Sequence, residues 1–112
     1  MDKDNYYDPR DLKKFGKIRD FQKPLGDKFF EYYNAVLEEG ALSKREKSLI
    51  GLAVAHVIQC PYCVEAYTVN CMENGADKTQ MMEAIHVGAA VRGGAALVHG
   101  VQMMEKVDQL SM

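Results

Sequence analysis

Between Ser43 and Cys63 the chain reads SKREKSLIGLAVAHVIQCPYC, and this stretch decides the fold. Ser43-Lys44-Arg45-Glu46 is a capping box: the serine hydroxyl can accept from the amide three residues on, while the glutamate reaches back to the serine amide. A helix starts there. Leu49, Ile50, Leu52, Ala53, Val54 and Val57 make it apolar almost all round, which predicts a central, buried element. It cannot run far past Gln59, because Pro61 would remove an intrahelical hydrogen bond. Proline is at ease in the first helical position, so Cys60-Pro61 reads as N-cap and first residue of a new helix, running to about Asn74 and closed by Gly75.

Downstream, Asp77-Lys78-Thr79-Gln80 is a second box-like start, opening a helix with Met81, Met82 and Ile85 that should break or kink at Arg92-Gly93-Gly94. A last helix is expected from Ala95 to about Asp108, carrying Leu97, Val98, Val101, Met104 and Val107. Upstream, Leu25, Phe29, Tyr32, Tyr33, Val36 and Leu37 mark a helix ending near Glu39, with Gly40 suited to stop it in the left-handed conformation. Before Pro24, Leu12, Phe15, Ile18 and Phe21 fall three apart and predict a short amphipathic helix in a polar arm. Sustained period-two alternation is absent. The chain therefore reads as all-α, with five to six helices: an N-terminal arm over residues 1–24 and a helical domain over 25–112.

The 112 residues carry 14 basic and 16 acidic side chains, a formal charge of −2. Interspersed signs argue against a nucleic-acid partner. No unbroken apolar run approaches the roughly 18 residues of a membrane span, and Met1-Asp2-Lys3-Asp4-Asn5 lacks the basic-then-apolar layout of a secretion signal. The expectation is a cytoplasmic protein with no membrane association. In a reducing compartment, Cys60-x-x-Cys63 reads as redox-active or metal-binding before it reads as a structural staple.

At a helix N-terminus, unpaired amides and the dipole favour thiolate, and residues one turn apart can close a disulfide. On that argument Cys60 is the better thiolate. The bland alternative is a pair of small apolar residues in an inert, oligomeric helical scaffold. A metal site is not expected: a closed zinc site needs a fourth ligand, and Cys71 lies about 80° round the helix from Cys63 and two turns away. His56, one turn before Cys60, and Tyr67, one turn after Cys63, are the candidate proton-handling partners of the sulfurs. For His56 a satisfied core histidine is the competing reading.

Leu42-Ser43-Lys44-Arg45-Glu46-Lys47-Ser48-Leu49-Ile50, Ala53-Val54-Ala55, Cys60-Pro61-Tyr62-Cys63, Gly75-Ala76-Asp77 and Gly93-Gly94 together resemble the carboxymuconolactone decarboxylase superfamily. Within it they look like the alkylhydroperoxidase D (AhpD) branch. The stretch from Ala55 to Cys63, with Ala66-Tyr67-Thr68, is similar to a peroxidase-like subgroup associated with arsenosugar biosynthesis.

The resemblance implies an all-helical domain forming trimers or hexamers, and a thiol peroxidase without a bound cofactor. Cys63 would attack the hydroperoxide, Cys60 would close the disulfide, and a dithiol reductant protein or lipoyl group would reopen it. The branch pairs its cysteines with a relay Glu and His. Those positions fall on Ser48 and Tyr67 here, so neither relay residue carries over, and His56 is left as the replacement base. Without the relay, a dithiol-disulfide oxidoreductase or an arsenic-thiol handling protein is the alternative reading.

Overall fold

The computed structural model describes residues 7–112; the first six residues of the expected arm lie outside it. Among the described residues all regular structure is helical. The arm is a single-stranded wall, Pro9–Asp20, wound as a 3-10 helix. That winding makes sense of its pattern. Leu12, Phe15 and Ile18 are three apart, and at three residues per turn they stack in one column. Asp8 caps its start, accepting from the Arg10 amide at 2.9 Å. The Arg10 guanidinium, 2.6 Å from the same carboxylate, holds Asp8 down to about 2.

Five α-helices follow: α1 Lys23–Leu37, α2 Lys44–Val57, α3 Pro61–Glu73, α4 Lys78–Val98 and α5 Gly100–Ser111. The arm lies against α1 and α3, and α2 packs on both α3 and α4. At Gly26 of α1 an added Cβ would sit 2.9 Å from Arg19 Cα, so arm and helix meet backbone to backbone. Gly88 plays the same part between α4 and α2, where a Cβ would meet Val57 at 3.0 Å. Leu52, Ala55, Cys71 and Ala76 are the buried apolar residues, with Leu49, Met81, Ile85 and Tyr67 packed around them.

Both capping boxes form. Ser43 Oγ accepts from the Glu46 amide at 3.1 Å and Glu46 Oε1 from the Ser43 amide at 2.8 Å; Asp77 and Gln80 exchange the same bonds at 2.8 and 3.0 Å.

Two expected helix ends move. α1 stops at Leu37, and Gly40 is not among the positive-φ residues. The carbonyls left by that early stop are taken by Lys47, whose Nζ donates to Val36 O at 2.7 Å and Glu38 O at 2.6 Å. A cation at a helix C-terminus does there what a left-handed glycine does elsewhere.

The second correction is at Arg92-Gly93-Gly94, where α4 runs straight through. Each glycine costs about 1 kcal/mol relative to alanine but forbids nothing, and Ala89, Ala90, Ala95 and Ala96 around them are the best helix formers. The interruption comes instead at His99, which keeps helical dihedrals, φ −68° and ψ −17°. The consequence is a long stem. The radius of gyration is 19.0 Å, against about 13 Å for a compact chain of this size. α5 has no buried residue, and Leu97, Val98, Val101, Met104 and Val107 are exposed. By length and composition alone the helical run Lys78–Ser111 meets the requirement for a membrane span, an 18-residue window of it having a mean hydropathy of 1.2; the first half of α4 is nonetheless the packing partner of α2.

Candidate active site

The site begins with a helix end. After Val57 the Gln59 amide donates to His56 O at 3.3 Å and the Cys60 amide to Ala55 O at 3.1 Å, the two bonds of a Schellman motif. Its left-handed position is filled by Gln59, φ 57°, where a non-glycine residue costs about 1–2 kcal/mol. The turn delivers Cys60 as the N-cap of α3, and Pro61 follows in a position that needs no amide partner. Cys60 Sγ accepts from the Cys63 amide at 3.2 Å, a role that sulfur fills better as thiolate than as thiol.

Both cysteines are free and half-buried. Their surroundings differ. Cys63 lies on the wall of two neighbouring apolar cavities, one of about 740 Å³ between α1 and α2 and one of about 400 Å³ beneath the arm. Cys60 reaches only the second. The Cys63 thiol is pushed up to about 11, first by burial, then by its hydrogen bond to Cys60 and the charge on Cys60.

Tyr67 lines both cavities beside Cys63. Its ring lies directly on Gly51, where any added Cβ would overlap it, so a glycine on α2 makes room for the site. The Tyr67 hydroxyl is 2.6 Å from that of Tyr33 on α1. Burial raises the Tyr67 phenol well above its ordinary range, and Tyr33 and the Cys63 charge add to the shift. Tyr67 is thus a hydrogen-bonding group that keeps its proton, not a base.

His56 is not brought to the sulfurs. Its Nδ1 is 2.8 Å from Leu52 O, and the ring lines a separate cavity of about 370 Å³ with Val57, Ile85, Gly88 and Arg92. Counting one turn back from Cys60 assumes a continuous helix. The left-handed Gln59 turns the chain between them, so α2 points His56 toward α4 while α3 carries the sulfurs toward the arm. Cys71 is fully buried in the core. Among the described residues no three His, Cys, Asp or Glu side chains gather into a metal site.

Sequence reasoning missed Tyr33, Gly51 and the arm. Tyr33 was legible only as one of an apolar face, and nothing local shows that its hydroxyl meets Tyr67. The arm is tied over the dithiol by Tyr62, whose hydroxyl donates to Asp11 Oδ2 at 3.0 Å, and by Tyr7, edge-on to the Tyr62 ring at 5.4 Å between centroids.

Residues 23–106, from the start of α1 into α5, match the carboxymuconolactone decarboxylase family. The chain belongs to this family. It is 42% identical over 86 residues to a Paracoccus denitrificans protein named "Uncharacterized protein 4 in cox locus", spanning 77% of this chain and 78% of that one. A crystal structure of a Methanobacterium thermoautotrophicum protein aligns with a TM-score of 0.69 at 28% identity, over 72% of this chain and 91% of that one. A Thermotoga maritima structure aligns with a TM-score of 0.59 at 25% identity, over 88% and 94%.

Ser48 and Tyr67 are the residues on which the relay Glu and His expected from the resemblance fall. Ser48 is buried, donates to Lys44 O at 2.8 Å and accepts from Asn74 Nδ2 at 3.1 Å. It ties α2 to the far end of α3 and has no free role toward the sulfurs.

Proposed function

We propose that the chain is a thiol-dependent peroxidase of the AhpD type that reduces hydroperoxides with the Cys60–Cys63 pair. The observation that carries this reading is the unequal placement of two sulfurs one helical turn apart: Cys63 faces apolar space, and Cys60 sits beside it as cap and charge.

In the reacting form the two sulfurs share one proton and one negative charge. Passing that proton to Cys60 frees Cys63 to attack the distal oxygen of R–O–O–H; the O–O bond breaks, and the departing alkoxide takes the proton back to leave as R–OH. Cys63 is now a sulfenic acid. Cys60 thiolate attacks its sulfur, the S–S bond forms, and hydroxide departs. The pair has given up two electrons, and an external dithiol, on a protein or a lipoyl group, returns them by exchange. Tyr67, its hydroxyl oriented by Tyr33, donates a hydrogen bond to the oxygens of the bound peroxide. No cofactor is required.

The assembly is proposed to be a trimer or hexamer in the cytoplasm. The exposed apolar side chains of α4 and α5 are the surface that subunit contacts would cover.

A second reading has its own support. The raised Cys63 thiol and the turned-away His56 leave no base at the sulfur. Exchange that begins on Cys60 needs none, so a dithiol-disulfide oxidoreductase, or a protein that chelates trivalent arsenic between its two sulfurs, fits the same geometry. Two assays on one sample separate them: consumption of hydroperoxide with dithiol present, and loss of free thiols on titration with arsenite. Peroxidase chemistry predicts consumption that Cys63→Ser abolishes. Arsenite capture with no peroxide consumption would replace the first reading by the second.

A further inference from the structure

The family match begins at residue 23, yet five of the eleven residues lining the cavity beneath the arm come before it. We propose that the arm makes this cavity a binding site selective for hydroperoxides with a bulky, branched or aromatic carbon skeleton, through the side chains of Leu12, Phe15 and Ile18. The inference rests on the peroxidase reading for its chemistry but not for its binding.

Four observations converge. The 3-10 winding places the three apolar side chains in one column, and all three line the cavity opposite Cys60 and Cys63. The wall is held in place by Asp11 on Tyr62 at 3.0 Å and by Phe15, edge-on to Phe30 at 4.9 Å. The volume, about 400 Å³, suits a small organic molecule and far exceeds hydrogen peroxide. Lastly, the protein itself leaves this apolar surface uncovered, with Phe15 42% and Ile18 47% exposed. A molecule that covers them gains by leaving water, whereas hydrogen peroxide has no apolar part to gain with.

The test compares the full chain with Leu12→Ala/Ile18→Ala and the conservative Leu12→Ile/Ile18→Leu. The readout is the ratio of rate constants for disulfide formation with cumene hydroperoxide and with hydrogen peroxide. The full chain is expected to favour cumene hydroperoxide. The alanine pair should cut the ratio by about tenfold, the usual worth of small changes in an apolar pocket, and the conservative pair should keep it. A ratio that the alanine pair leaves unchanged overturns the proposal.

Binding of 2-phenyl-2-propanol, the product alcohol, is followed in parallel by saturation-transfer NMR, which needs no turnover. Alcohol that binds the full chain and not the alanine pair, in a protein that reduces no peroxide, supports the pocket and removes the peroxidase reading. Peroxide reduction at equal rates with no alcohol binding removes the pocket and leaves the peroxidase reading standing.

Discussion

The turn into α3 and the turn into α4 are built to one plan with different chemistry. Each closes a helix with a Schellman pair: Gln59 on His56 and Cys60 on Ala55 in the first, Gly75 on Met72 and Ala76 on Cys71 in the second. Each then opens a helix with an N-cap that takes the amide three residues on. In the second turn the left-handed position is glycine, φ 83°, and the cap is Asp77 in a full capping box with Gln80. In the first, the left-handed position is Gln59 and the cap is a sulfur. The turn into α4 uses the residues local stability prefers. The turn into α3 gives up stability at two positions and gains a pair of thiols, the pattern expected where a site is selected for reactivity.

The comparison breaks most visibly if the cap of α3 is made like that of α4. Cys60→Asp should abolish disulfide formation while raising stability by about 1 kcal/mol, as a carboxylate replaces sulfur at the N-cap; urea unfolding and thiol counting after oxidation check both halves. Next in size, Gly75→Ala should lose about 1 kcal/mol or more, because alanine is strained at this positive φ. The converse change, Gln59→Gly, should gain up to about 1 kcal/mol, with the midpoint of the urea transition rising and its slope unchanged.

A subtler effect concerns protons. The charge on Cys60 is one of the causes that push the Cys63 thiol to about 11, so Cys60→Ser should move the alkylation midpoint of Cys63 downward, burial alone remaining. The sign extends to stability. Cys63 holds its proton in the folded chain at pH values where the unfolded thiol has lost it, so its contribution is complete below pH about 8.5, the free-thiol value, and is lost as pH rises through about 11. Iodoacetamide rates against pH read the first effect, and unfolding at pH 8 and 10 the second.

What could be read from the sequence was the chemistry that acts within a few residues. The boxes at Ser43 and Asp77, Pro61 as the first residue of α3, the left-handed Gly75 and the sulfur at the cap all follow from local rules, and they establish the all-α class and the position of the dithiol. What could not be read depends on another element. Gly40 was spared its turn by Lys47, which reaches the end of α1 from a different helix, and Gly93-Gly94 were carried by the alanines around them. His56 was misplaced because helical counting does not see the left-handed residue between it and Cys60. Tyr33 and the arm joined the site through contacts 34 and 51 residues apart in sequence, which no periodicity encodes.

The most direct test is to add one equivalent of cumene hydroperoxide to the fully reduced chain and map the product by mass spectrometry. The expected result is the loss of two hydrogens, located in a Cys60–Cys63 disulfide with Cys71 still free, and one equivalent of the alcohol released. A chain that keeps all its thiols, or that oxidises at Cys71 instead, would contradict a redox role for the pair at the start of α3.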